Sequence, residues 1–330
     1  MRKDFIFGMN IHNKGYEAYP QHYENEYRDL CKDLGMDIIR FNFNPTDEET
    51  FEYAIHTAKF YKNNGFKFML CMDYPWWEDK TEEEFYEYFK TVGSRMKGYV
   101  DYYQIFNEID VTAMTADEGG LYNPGDGLII DNYNPRLVKK AITAVKGGLR
   151  GIKEGDPDAE TCINFSWWHT KLLELFDENG CTWDVTGVDW YSEMEDISSV
   201  THLLAWLERR FPNRDVLFCE CNWRTFTNQH DIVVENGKKA VNKGYTAMER
   251  DALQAVWISD FMNLLKTADC KNLRGIILYE LVDQIAYGEN HAEAMYGFMR
   301  CERNGDNKIP KTAYHVLKNK IAELKKEINK

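Results

Sequence analysis

Two glutamates close apolar runs in this chain. Glu108 follows Tyr103-Gln104-Ile105-Phe106 and Asn107, and Glu220 follows Val216-Leu217-Phe218-Cys219. A carboxylate at such a place is costly unless a partner compensates its charge. Two of them acting on one centre suit proton transfer or nucleophilic attack. The other apolar runs end on amides, cations and flat rings. These are Asn10 and His12; Arg40, Asn42 and Asn44; Asp73-Tyr74-Pro75-Trp76-Trp77; Trp167-Trp168-His169; Asp189-Trp190-Tyr191; Asn222-Trp223-Arg224; and Tyr279-Glu280. Carboxylates, amides and ring faces together suit a sugar, whose C–H face stacks on rings while its hydroxyls bond acids and amides. Each group also has a plainer reading. A Trp at a strand end often packs under a loop, and Arg40 with Glu220 is satisfied as a structural ion pair. The dipeptide Asn-Glu recurs at Asn25-Glu26 inside a helical pattern, where it carries no chemistry.

The elements that must position these groups are short strands alternating with helices. Nearly continuous apolar runs read as buried parallel strands at Phe5–Met9, Ile38–Phe43, Lys67–Met72, Tyr102–Phe106, Thr161–Phe165, Val185–Asp189, Val216–Glu220 and Gly275–Tyr279. Helical patterns fall at Gln21–Leu34, Asp47–Asn64, Thr81–Lys97, Pro135–Glu154, His169–Glu178, Ser198–Arg210, Thr246–Thr267 and Lys311–Ile328, several opening on Ser, Thr or Asn. Eight such units with no linker or second compositional block predict one α/β domain over 1–330, a single (β/α)₈ TIM barrel. A doubly wound open sheet is the alternative, but it usually carries a glycine-rich turn after its first strand. Here that turn is Gly8-Met9-Asn10-Ile11-His12, with no second glycine. In a barrel the strand ends share one rim, which would gather the polar groups above.

Composition narrows the partners. Of 330 residues, 44% are apolar and 28% charged, which excludes a disordered or collagen-like chain. Nine Trp, 20 Tyr and 18 Phe make it ring-rich, and a net charge of −14 argues against nucleic acid and anionic membrane surfaces as partners. Eight cysteines are too few for a disulfide scaffold, and Cys219-x-Cys221 is too close for the usual zinc pair, so buried reduced thiols are expected. The apolar stretch after Arg2-Lys3 stops by Asn10, unlike a signal peptide, and no run approaches a membrane span. A cytoplasmic protein is expected unless a leader has been lost.

Taken in order, these residues resemble clan A of the glycoside hydrolases, the retaining (β/α)₈ enzymes that include cellulases, endo-galactanases, β-xylosidases and β-mannanases. The resemblance rests on Ile38-Ile39-Arg40-Phe41, Gln104-Ile105-Phe106-Asn107-Glu108-Ile109, Asp184–Tyr191, Glu220 and, near the C-terminus, Lys308–Tyr314. It implies that Glu108 is the general acid/base and Glu220 the nucleophile. Asn107 would bond the sugar 2-hydroxyl, while Arg40 and Tyr191 hold Glu220 ionised and oriented. His12, Trp76, Trp77, Trp168, Trp190 and Trp223 are the expected substrate-binding groups. Where the clan often has Trp after strand 8 as the floor of the central subsite, this chain has Tyr279-Glu280, which leaves that floor open and makes Tyr279 and Glu280 candidate substrate contacts. The implied substrate is a β-linked plant or microbial oligo- or polysaccharide, with no cofactor and no metal. The sugar and the oligomeric state are not legible. The long segments Val111–Tyr133 and Cys221–Lys243 are candidates for walling off one end of a cleft. Two rivals stand beside this reading. A metal-dependent barrel enzyme would want several His or Asp at strand ends, and only His12 and His169 of eight histidines qualify. A catalytically silent carbohydrate-binding barrel would show the same rings but need not keep both Glu108 and Glu220.

Overall fold

The structure is a computed structural model that describes residues 1–116, 119–123, 125–223, 232–235, 238–241, 246–288 and 292–329. Eight parallel strands form one closed barrel: β1 (Ile6–Ile11), β2 (Ile38–Asn42), β3 (Lys67–Met72), β4 (Tyr102–Ile105), β5 (Glu160–Ser166), β6 (Val185–Tyr191), β7 (Asp215–Asn222) and β8 (Leu273–Leu278). They neighbour one another in chain order, with β8 returning to β1. Between and after them come α1 (Glu24–Leu34), α2 (Glu48–Asn63), α3 (Glu82–Met96), α4 (Pro135–Gly155), α5 (Thr170–Glu178), α6 (Ser199–Arg210), α7 (Ala247–Thr267) and α8 (Thr312–Ile328). The (β/α)₈ architecture expected from the alternation is the one observed. No helix among the described residues is long and apolar enough to cross a membrane.

The chain gathers into two compact units, described in turn: Phe41–Asp189, and Met1–Arg40 with Trp190–Lys330. In the first, β3, β4 and β5 run in register, Met69 opposite Tyr102 and Tyr102 opposite Glu160, and β5 pairs with β6 from Cys162 and Val185 onward. Capping boxes open α2 (Asp47 with Thr50) and α3 (Thr81 with Glu84), while Asn134 caps α4 ahead of Pro135. Helix α4 lies close against α3 because it faces that helix with Gly147, Gly151 and Gly155. A Cβ at these positions would come within 2.3, 2.4 and 2.5 Å of the carbonyls of Glu82, Tyr86 and Lys90.

In the second unit β8 pairs with β1 and with β7, and its register against β7 shifts between Leu273 and Gly275. Thr246 and Glu249 form the capping box of α7. Ser198, expected to cap α6, is itself helical. The turn there is tied by Asp196, whose carboxylate accepts from the Ser198 N–H and hydroxyl. The long segment Cys221–Lys243, a candidate wall for one end of a cleft, contains an antiparallel pair, Ile232–Glu235 with Lys238–Val241. The Asn236-Gly237 dipeptide between those strands is the signal that announces a two-residue hairpin; it lies outside the described residues, as do 224–231.

Candidate active site

In the unit that holds it, Glu108 stands just beyond β4 on a distorted turn. Phe106 and Glu108 both have positive φ, 64° and 41°, as does Trp167 (51°) beyond β5. Residues with side chains rarely occupy this region, and each does so at a cost that the surroundings must offset. The surroundings are polar and specific. Gln104 Nε2 donates to the Phe106 carbonyl at 3.1 Å and to Asn107 Oδ1 at 3.0 Å. Asn164 on β5 accepts the Glu108 N–H at 3.1 Å, and its amide donates to Asn107 Oδ1 at 3.3 Å. The Ser166 hydroxyl contacts Glu108 Oε1. Asp110, buried, gathers on one oxygen the Ser166 N–H at 3.0 Å and His169 Nδ1 at 2.6 Å. The carboxyl, the neighbouring amide and the end of β5 are thus fixed together.

In the other unit Glu220, 6% exposed, lies on β7. Its Oε1 is 2.8 Å from the guanidinium of Arg40, which is fully buried and also donates to Asn10 Oδ1 at 2.7 Å. Its Oε2 accepts the Tyr191 hydroxyl at 2.7 Å. Burial, reinforced by the Glu220 charge, pushes the Tyr191 phenol well above its ordinary range, so it remains a donor. Tyr191, Tyr279 and Tyr296 pack as a ring cluster with centroids 5.1 to 6.2 Å apart. Asn222 pins two of its members, donating to the Tyr279 carbonyl and, at 2.7 Å, to that of Tyr296, and accepting from Gln254 at 3.2 Å.

Three expected substrate contacts need correction. Trp190 is fully buried: β6 extends through Tyr191, and neighbours on a strand point to opposite faces, so the phenol that reaches Glu220 sends Trp190 the other way. Trp76 is also fully buried, edge-on to Trp77 at 6.1 Å. Neither ring offers a face to a ligand. Glu280 is likewise sealed. Its oxygens take the Tyr19 hydroxyl at 3.1 Å, Gln284 Nε2 at 2.8 and 2.7 Å, and His12 Nε2 at 3.1 Å, so it braces His12 from behind. Trp77 is exposed, and Trp168 and Trp223 are half-buried. Tyr279 keeps 9% of its surface open and meets His12 edge-on at 5.5 Å. Sequence reasoning missed Ser166, Asn164, Asp110 and Gln284, and it marked Asn222 only as a polar residue at a strand end, without its role beneath the ring cluster. Asn164 and Ser166 could have been found, since they interrupt an apolar strand two positions apart; Asp110 carries no signal at all.

No protein-family model and no curated protein matches the sequence. Solved structures do match over nearly the whole chain. The β-glucosidase of Pyrococcus furiosus shares a TM-score of 0.71 at 13% identity, covering 99% of this chain and 97% of that one. The β-glycosidase of Thermosphaera aggregans gives 0.71 at 12%, covering 100% and 99%. The family 1 β-glucosidase of Thermotoga maritima gives 0.69 at 12%, covering 98% of each. At such identities the likeness is one of fold: this chain has the barrel of those β-glycosidases, as its resemblance to clan A implies.

Proposed function

We propose that this protein is a retaining β-glycoside hydrolase in which Glu220 is the nucleophile and Glu108 the general acid/base. The observation that carries the reading is the contrast between the partners of the two carboxyls. Glu220 meets a guanidinium, which can only donate, and a phenol that donates to it, so both of its oxygens serve as acceptors. Glu108 meets the hydroxyl of Ser166, which can donate to a carboxylate or accept from a carboxyl. A nucleophile needs the first environment, and a group that alternates between acid and base needs the second. Glu108 gives its proton to the leaving oxygen as the C1–O bond breaks, while a Glu220 oxygen bonds C1 from the other side. Water then gives its proton to Glu108 and attacks C1, releasing Glu220. Two inversions return the β-anomer. In this reading Asn107 is the amide that bonds the sugar 2-hydroxyl. No step calls for a cofactor.

The test is the first-formed anomer, followed by NMR on an aryl β-glycoside, together with azide rescue of Glu220→Ala. Retention and an α-azide product support the scheme. An α-anomer as first product would assign an inverting mechanism, and carbohydrate binding without turnover would make this a silent barrel.

A further inference from the structure

The segment that begins immediately after Glu108 is unusual in what it exposes. Among the described residues, twelve large apolar side chains are exposed, and six of them lie between positions 111 and 130: Val111, Leu121, Tyr122, Leu128, Ile129 and Ile130, each 39% to 56% exposed. Five are aliphatic. Aliphatic side chains give no hydrogen bond to a hydroxyl and no flat face to a pyranose; what they recognise is hydrocarbon. Exposed apolar side chains gathered in this way mark a binding surface.

Hydrogen bonds hold this segment at the end of the barrel strand that presents Glu108. The short helix Ile109–Ala113 starts one residue after the carboxyl. The Tyr122 N–H donates to the Met114 carbonyl at 2.7 Å, Thr115 bridges Leu121, and the Asn134 N–H donates to the Ala113 carbonyl at 2.9 Å. These bonds fold the chain back against that helix. Further on, the Gly127 carbonyl accepts from Lys171 N–H at 3.2 Å and from the Tyr133 hydroxyl at 2.9 Å. A Cβ on Gly127 would lie 2.5 Å from His169 Cδ2, so this stretch rests on the histidine that Asp110 holds beside Ser166. The apolar stretch is therefore tied to the ends of both strands that fix Glu108.

We infer that this surface receives the leaving group, and that the preferred substrates are β-glycosides of apolar alcohols rather than chains of sugars. The inference rests on the assignment of Glu108 as the acid, because the group it protonates is the one whose carbon skeleton leaves along this segment. It also narrows the oligo- or polysaccharide expectation drawn from the sequence.

A series of n-alkyl β-glycosides from methyl to octyl, kept below their micelle concentrations, isolates the contact from the chemistry, because simple alkanols differ little in leaving-group acidity. A methylene fully buried against protein raises kcat/KM about fourfold, so partial burial should give roughly twofold per carbon, about 30-fold from methyl to hexyl. Combining Leu128→Ser, Ile129→Ser and Ile130→Ser should flatten that slope, the loss growing with chain length. All three positions are exposed, and an unchanged far-UV spectrum and melting temperature would confirm that the variant folds. A flat series in an active wild type, with oligosaccharides of the same glycone cleaved faster, overturns the inference and leaves the hydrolase reading standing. A wild-type dimer that the triple variant dissociates, without change of slope, overturns it in favour of a self-interface. Failure to cleave any β-glycoside would instead remove the reading on which it rests.

Discussion

Replacing Arg40 by methionine tests whether Glu220 is held by charge at the expense of stability. The pair is 2.8 Å apart, with Arg40 fully buried and the Glu220 side chain 8% exposed. At that separation and an effective dielectric of about 20, the attraction is about 6 kcal/mol. Drying both ions costs several kcal/mol each, so the intact pair contributes little net stability. Removing one partner is a different matter. Arg40→Met strips the guanidinium from a carboxylate that keeps the Tyr191 hydroxyl, and it also takes a donor from Asn10. The expected cost is about 3–5 kcal/mol. Glu220→Gln leaves the guanidinium with Asn10 and an amide oxygen, for about 1–2 kcal/mol. Arg40→Met with Glu220→Gln removes both charges while keeping an acceptor for Tyr191, and it should recover about half of the summed loss. The resulting coupling is about 3 kcal/mol. Urea unfolding of the four proteins at pH 7, with equal m values, measures it, and kcat/KM on an aryl β-glycoside should be abolished in every Glu220 variant. A coupling below about 1 kcal/mol, or a double variant as unstable as the sum of the singles, would refute the claim that charge pairing holds this carboxylate.

Burial raises Asp283 to about 6 against the opposing pull of Lys311, 2.7 Å away, with Glu280 and Asp251 pushing the same way as burial. Between about pH 4 and pH 6 only the folded state keeps that proton, so stability falls as pH rises. The loss is about 3 kcal/mol and complete above pH 6. Asp283→Asn should lack this contribution, read as the wild-type-minus-variant difference in unfolding free energy across that window; a difference independent of pH sinks the prediction. Tyr191→Phe removes a hydrogen bond to a charged group, worth about 1.5–3 kcal/mol, and should lower kcat/KM roughly 10- to 150-fold; a loss under threefold would put Tyr191 outside the site. Glu108→Gln should cripple bond cleavage for poor leaving groups and spare activated aryl ones in that step; equal losses on both would remove Glu108 from the acid role.

The strands and helices were legible because each physical signal repeats along the chain. Eight apolar runs of strand length and eight amphipathic runs with caps between them leave few other folds. What the runs do not mark is where a strand stops. Polar residues at a barrel rim look like the start of a loop, so the apolar runs end β1 at Met9, β6 at Asp189 and β7 at Glu220, while the strands continue to Ile11, Tyr191 and Asn222.

Those two extra residues decide the site. On a loop, Trp190 and Tyr191 could both face a ligand; on a strand, the alternation of side chains allows only one of them. Tyr191 takes Glu220 and Trp190 is buried. The same parity puts Glu220 and Asn222 on one face, where Asn222 can pin the ring cluster around Tyr191, and puts Cys221 on the other. On β5 it aligns Asn164 with Ser166, the two residues that hold the main chain and the carboxyl of Glu108. Glu280 and Asp110 escape this reasoning because both lie beyond a strand end, where the local sequence sets no alternation. Their burial is decided by partners far along the chain: Glu280 meets Tyr19 across 261 residues, and Asp110 meets His169 across 59. Parity along a strand can be read from one segment, whereas enclosure of a carboxylate depends on which distant segments the fold brings over it.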